Sequence, residues 1–132
     1  MILVDTSVLL DVLKDDPRWA DWSQSALEAA ASRDELVIND VVYAELSTRY
    51  DRIEALDETL TAMSLKHSTI PRAALFLAGK AFLRYRKRGG TRTGVLSDFF
   101  IGAHAAVERM PLLTRDVERI RAYFPTVDLI AP

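Results

Sequence analysis

The sequence predicts an α/β fold with a mostly parallel central sheet, and three observations carry that expectation. Short apolar runs that read as strands buried on both faces recur along the chain. Between them lie stretches with apolar residues every three or four positions. The 132 residues, 49% hydrophobic and 27% charged, suffice to close one core. No repeat, low-complexity tract or linker-like stretch interrupts them, so residues 1–132 read as a single domain.

The first apolar run, Met1 to Val4, ends at Asp5. Pro17, after Asp16, suits the opening turn of a helix in which Trp19, Trp22, Ala26, Leu27 and Ala30 recur at helical spacing, a stripe assigned to the core. Leu36 to Ile38 is the second run and ends at Asn39. Val41 to Tyr50 and Ile53 to Met63 follow as helices, the latter with Ile53, Leu56, Leu60 and Met63 on one stripe. Pro71 opens another, with Ala74, Leu75, Ala78, Phe82 and Tyr85 on one side, and Gly89-Gly90 stops it. Ser97 reads as the N-cap of a helix from Asp98 to Glu108. Pro111 to Leu113 is a third apolar run, leading into Thr114, Arg115 and Asp116. Val117 to Phe124 is a final helix and Val127 to Ile130 a final strand.

Cysteine is absent, which removes disulfides, thiolate zinc sites, iron–sulfur clusters and a cysteine nucleophile, and fits a reducing, cytoplasmic setting. Met1 to Ser7 carries an acid and no basic lead-in, unlike a secretory or transit peptide. The longest stretch free of Asp, Glu, Lys and Arg is Phe99 to Val107, well short of the roughly 20 residues that cross a bilayer, so no membrane span is expected. The net charge of −2 conceals a segregation. From His67 to Ser97 there is no acid, while Arg72, Lys80, Arg84, Arg86, Lys87, Arg88 and Arg92 are all basic. Such a strip beside an acidic remainder suits a protein that grips phosphates in one place and holds cations in another; a solvated basic helix face would look the same.

Two apolar runs deliver an acid at the carboxyl end of a strand, Asp5 and Asp116, where α/β sheets place ligands. Two more acids, Glu45 and Asp98, sit in otherwise apolar helical settings. Taken singly each has a plainer account: Asp98 and Asp116 as first-turn acids, Glu45 as an outward helix residue, Asp5 as a helix cap. Taken together they need a cation, because two carboxylates about 4 Å apart repel by roughly 4 kcal/mol at an effective dielectric near 20. Oxygen donors without cysteine or a nearby histidine select a hard ion, Mg²⁺ or Mn²⁺. Such an ion binds phosphate oxygens and activates water, as phosphodiester hydrolysis requires.

The segments Asp5-Thr6-Ser7-Val8-Leu9-Leu10-Asp11, Val41-Val42-Tyr43-Ala44-Glu45-Leu46, Leu96-Ser97-Asp98-Phe99-Phe100-Ile101-Gly102-Ala103-His104-Ala105 and Leu113-Thr114-Arg115-Asp116 follow one another in an informative order. Together they resemble the PIN-domain ribonucleases, and in size and motif order the toxin component of VapBC toxin–antitoxin pairs. The resemblance implies a three-layer α/β/α fold and a metal-dependent endoribonuclease using Mg²⁺, with Mn²⁺ as a substitute. It makes Asp5, Glu45, Asp98 and Asp116 the catalytic acids, with Asp5 and Asp98 on the metal. Thr6 and Thr114 are expected to hydrogen-bond a carboxylate or the attacking water. Arg84, Arg86, Lys87, Arg88 and Arg92 are expected to hold the RNA backbone, although the same residues would also suit an acidic antitoxin segment. The implied partners are a VapB-type antitoxin, a second copy in a homodimer or larger assembly, and operator DNA reached only through the antitoxin. Asp11, six residues past Asp5, is expected to face solvent. Asn39 stands where relatives often have Ser or Thr, and the acid set is complete without it.

Three rivals compete. A metal-free nuclease would need histidines, and only His67 and His104 exist; His104 lies about 240° around its helix from Asp98 and reads as a packed side chain, His67 as a surface one. A non-catalytic module would bind only a partner or operator DNA. A phosphatase-like domain would want an Asp-x-Asp pair, and Asp5-Thr6-Ser7 lacks it.

Overall fold

A computed structural model describes residues 1–92 and 94–132. Its elements run β1 (Ile2–Val4), α1 (Thr6–Leu13), α2 (Ala20–Arg33), β2 (Leu36–Ile38), α3 (Asp40–Ser47), α4 (Ile53–Ala62), β3 (Leu65–His67), α5 (Arg72–Lys87), α6 (Leu96–Glu108), β4 (Leu112–Leu113), α7 (Glu118–Tyr123) and β5 (Leu129–Ile130). All the strand pairs are parallel and the sheet order is β3-β2-β1-β4-β5. The chain winds outward from β1 through β2 to β3, then returns past β1 to lay down β4 and β5. Right-handed crossovers in these two opposite directions put helices on both faces of the sheet, the three-layer α/β/α arrangement. The direction reverses between β1 and β4, and a crevice opens at their carboxyl ends.

Every residue of β1, β2 and β4 is buried, which is why each reads as an unbroken apolar run. β3 was not anticipated because it is an edge strand whose Lys66 and His67 are exposed; only Leu65 faces the core. Leu36 and Ile38 nonetheless pair with Leu65 and His67 in register. The helix from Pro17 begins later, at Ala20, because the Asp16 carboxylate accepts hydrogen bonds from the Arg18 and Trp19 amides and holds those residues in a turn. Ser97 is not an N-cap: α6 starts at Leu96, one residue earlier, and Ser97 lies within its first turn.

Two glycines decide local packing. The α5 helix ends with Gly89 at φ +86°, the Gly90 amide donating to the Tyr85 carbonyl and the Gly89 amide to that of Arg86. In α6, a Cβ on Gly102 would lie 2.4 Å from Phe124 Cδ2 and 2.9 Å from Ile120 Cδ1, so only glycine lets Phe124, beyond α7, seat against this helix.

Candidate functional site

Asp5 follows β1 and is nearly buried at 9% exposure. Its amide extends the ladder to Leu113 of β4, and its Oδ2 accepts from Thr114 Oγ1 at 2.7 Å and from Ser7 Oγ at 2.9 Å. Thr114 is itself fully buried and its Oγ1 also accepts from the Asp116 amide at 3.0 Å. One hydroxyl therefore ties the acid after β1 to the loop that carries the acid after β4. On the other side, Thr6 Oγ1 donates to Glu45 Oε1 at 2.7 Å, joining the first turn of α1 to α3. Thr6 and Thr114 thus both engage carboxylates of the acid set.

Asp98 enters from the first turn of α6, where the helix dipole favours a negative charge. Arg119, on α7, donates from Nη1 to Asp98 Oδ2. Asp98 is nevertheless pushed up to about 6, chiefly by burial and then by the charges of Asp5 and Asp116, against the pull of Arg119. Burial likewise raises Asp5, with the Glu45 charge adding to it, and its hydroxyl partners oppose the rise only in part. The four acids form a chain of neighbours, Glu45 acting on Asp5 and both Asp5 and Asp116 on Asp98, although they come from distant parts of the sequence. Asp116 is the exposed member, at the rim.

Among the described residues, no three acid or histidine side chains stand ready to close around one ion. Arg119 offsets Asp98, and Thr6 holds Glu45. The donor chemistry is still that of a hard divalent cation: oxygen ligands alone, two with raised pKa values that a positive charge would lower.

The basic residues Arg84, Arg86 and Lys87 make the exposed last turn of α5, where cations suit the helix dipole. Arg88 lies over the Tyr123 ring at 5.3 Å, and Arg92 lines a pocket together with Asp116 and Arg119. Arg92 thus stands beside the acids.

Asp11 corrects an expectation. It does not face solvent: its side chain is 4% exposed and receives Nε and Nη2 of Arg115 at 2.6 and 2.9 Å and Ser23 Oγ at 2.7 Å. α1 runs through to Leu13, which turns Asp11 inward toward α2 and the β4–α7 loop. Arg115 also lies over Trp19 at 5.0 Å. Sequence reasoning gave no role to Arg115, Arg119 or Ser7. A local cue exists for Ser7 alone, which sits two residues past Asp5.

His67 is a surface residue paired with Asp40, and His104 is fully buried, as their spacing predicts. Asn39 Oδ1 caps α3 by accepting from the Val41 and Val42 amides, so its amide NH₂ must face His104 Nδ1. Nδ1 therefore accepts and Nε2 carries the proton, with no partner for it among the described residues. Burial lowers the His104 pKa, which the charges of Glu108 and Asp40 oppose and that of His67 assists. Below about pH 6.5 the unfolded chain binds a proton that the folded chain refuses, so this histidine removes stability as pH falls. We expect His104→Gln to flatten the drop in urea midpoint between pH 7 and pH 5.5; an unchanged slope would remove His104 as its source. The difference between variant and wild type is the quantity to read, because Asp98, raised to about 6, acts oppositely in that range.

The sequence pattern of the family described as PIN domain matches residues 2–125. Among curated proteins no sequence matches this chain. Several solved structures share the fold. VapBC2 from Rickettsia felis, bound to a DNA fragment from its promoter, superposes with a TM-score of 0.75 at 20% identity over 100% of this chain and 99% of that one. VapBC-1 from nontypeable Haemophilus influenzae gives 0.73 at 19% identity over 99% and 98%. FitAcB from Neisseria gonorrhoeae gives 0.63 at 20% identity over 98% and 96%.

Proposed function

Because the chain belongs to the PIN-domain family, we propose that it is a metal-dependent endoribonuclease, the toxin of a VapBC-type toxin–antitoxin pair. The observation that supports this reading is the gathering of Asp5, Glu45, Asp98 and Asp116 toward the β1–β4 switch point, where burial, helped by the charges of Asp5 and Asp116, raises Asp98 to about 6. Asp5 and Asp98 would hold Mg²⁺, or Mn²⁺ in its place. Bound there, the ion would supply an activated water and neutralise charge on a phosphate oxygen.

The chain's own residues prepare that chemistry. Thr114 and Ser7 fix the rotamer of Asp5 by occupying one of its oxygens, which leaves Oδ1 for a ligand. Thr6 restrains Glu45 in the same way. Arg84, Arg86, Lys87, Arg88 and Arg92 would hold the RNA backbone, a sequence-blind contact that positions the strand without selecting it. Water attacking phosphorus in line with the P–O3′ bond would expel the 3′-oxygen, which takes up a proton, and would leave a 5′-phosphate and a 3′-hydroxyl. The cognate partner would be a VapB-type antitoxin, with operator DNA engaged through it; the similar VapBC structures from Rickettsia felis and Salmonella typhimurium are DNA-bound. A homodimer is the expected toxin unit. The expected compartment is the cytoplasm; no helix among the described residues is long and apolar enough to cross a membrane.

Chelation tests the proposal directly. We expect purified protein to cut RNA in Mg²⁺, to stop in EDTA and to recover when Mn²⁺ is added. Cleavage that continues in EDTA would point to histidine chemistry and reject the carboxylate site. The buried His104 and the Asp40-bound His67 give that alternative no support.

A further inference from the structure

Beside the acids lies a pocket of 290 Å³ walled by Tyr85, Arg92, Arg119 and Tyr123, with Asp116 on its border with the acid site. Its volume stands near the lower end of the roughly 300–1,000 Å³ typical of small-ligand sites, room for one nucleotide. The two tyrosines are rigidly held. Their rings meet edge to face at 6.2 Å, and both pack on the buried Phe99, at 5.6 and 5.2 Å. Tyr85 is further pinned by the Arg92 amide, which donates to its hydroxyl at 3.2 Å. It also lies so close to the chain at Gly90 that a Cβ there would fall 2.5 Å from the ring. Guanidinium groups sit on this aromatic base, Arg119 over Tyr85 at 5.8 Å and Arg88 over Tyr123 at 5.3 Å. Arg119 spends one nitrogen on Asp98, and a guanidinium has five N–H donors in all, so others remain for a ligand.

From this geometry we infer that the pocket is a nucleotide subsite flanking the cleavage point: Arg92 and Arg119 take a phosphate of the RNA strand, and the adjoining base packs on Tyr123 and its guanidinium lid. The inference rests on the ribonuclease reading and assigns that site a neighbouring base. Asp116 and Glu118 also line the pocket and would repel an anion set against them, which leaves the phosphate to the arginine wall. Aromatic rings and arginine planes are the surfaces on which unstacked RNA bases are held, whereas either alone would suit many ligands.

Binding of a fluorescein-labelled single-stranded hexanucleotide RNA, measured by anisotropy in EDTA with the RNA verified intact on a gel, tests the subsite apart from catalysis. We expect Arg119→Gln and Arg92→Gln each to weaken binding about tenfold and to reduce the salt slope by about 0.7, the loss of one phosphate contact on a single strand. Tyr123→Leu should weaken it about tenfold with the slope unchanged, and Tyr123→Phe should restore it, since the ring and not the hydroxyl does the stacking. Circular dichroism confirms that each variant is folded. Wild-type affinity in folded Arg119→Gln and Tyr123→Leu overturns the subsite, even if the protein cleaves RNA. The expected losses of binding in a protein that fails to cleave RNA sustain the subsite and reject the nuclease reading. Loss of binding to an antitoxin peptide, with RNA binding intact, assigns the pocket to a protein partner and also overturns it.

Discussion

Asp98→Asn and Asp5→Asn each reduce RNA cleavage by about 10³-fold or more in saturating Mg²⁺, the order of loss seen when a group central to transition-state charge stabilisation is removed. The expectation follows from position. Asp5 follows β1 at the β1–β4 crevice, Asp98 lies near enough to feel its charge, and burial together with neighbouring acids raises the pKa of both. Thr114→Val is the informative companion. It removes the hydroxyl that donates to Asp5 Oδ2 and accepts from the Asp116 amide, and it should cost a milder 10- to 100-fold, since the acids themselves persist. Steady-state cleavage of a labelled RNA measures both, with circular dichroism confirming the fold. Asp98→Asn cutting at the wild-type rate would end the assignment of this site.

Arg115→Met is expected to lower stability by about 3 kcal/mol, the effect of removing one partner of a buried ion pair. Burial works to raise the Asp11 pKa, yet the two-pronged Arg115 guanidinium and the Ser23 hydroxyl outweigh it and hold the carboxyl below its usual range. Without Arg115 that charge is stranded in the interior. The reverse change, Asp11→Ala, should cost less, because Arg115 is 29% exposed against 4% for Asp11 and keeps its place over Trp19. Asp11→Ala combined with Arg115→Met removes both charges and should recover much of the loss. Urea denaturation at pH 7 reads the cycle; strict additivity would show that the pair is not coupled. The stability contributed by Asp11 is present above its unfolded pKa of about 3.9 and disappears as pH falls through the lower folded value.

How much of this was legible in the sequence depends on how far apart the partners lie. The central strands announced themselves, because burial on both faces leaves only apolar residues in Ile2-Leu3-Val4 and Leu36-Val37-Ile38. β3 did not, since an edge strand with Lys66 and His67 in solvent carries no such signature. The acids could be named from their apolar surroundings and from motif order. Their partners mostly could not: the Arg115–Asp11 pair joins residues 104 positions apart, and nothing in either neighbourhood marks the other. Arg119 was hidden for a different reason. An arginine on a short helix reads as ordinary surface charge until α7 is packed against α6 and brings it to Asp98.

The bond from Thr114 to Asp5 joins residues 109 positions apart, and β4 flanks β1 on the side opposite β2 and β3. A chain still emerging from the ribosome therefore carries its first acid long before the threonine that orients it. Premature termination ahead of Thr114 yields a polypeptide with at most three of the four acids and without the hydroxyl that orients Asp5. The two sides of the crevice are thus joined only once the chain has been made through β4.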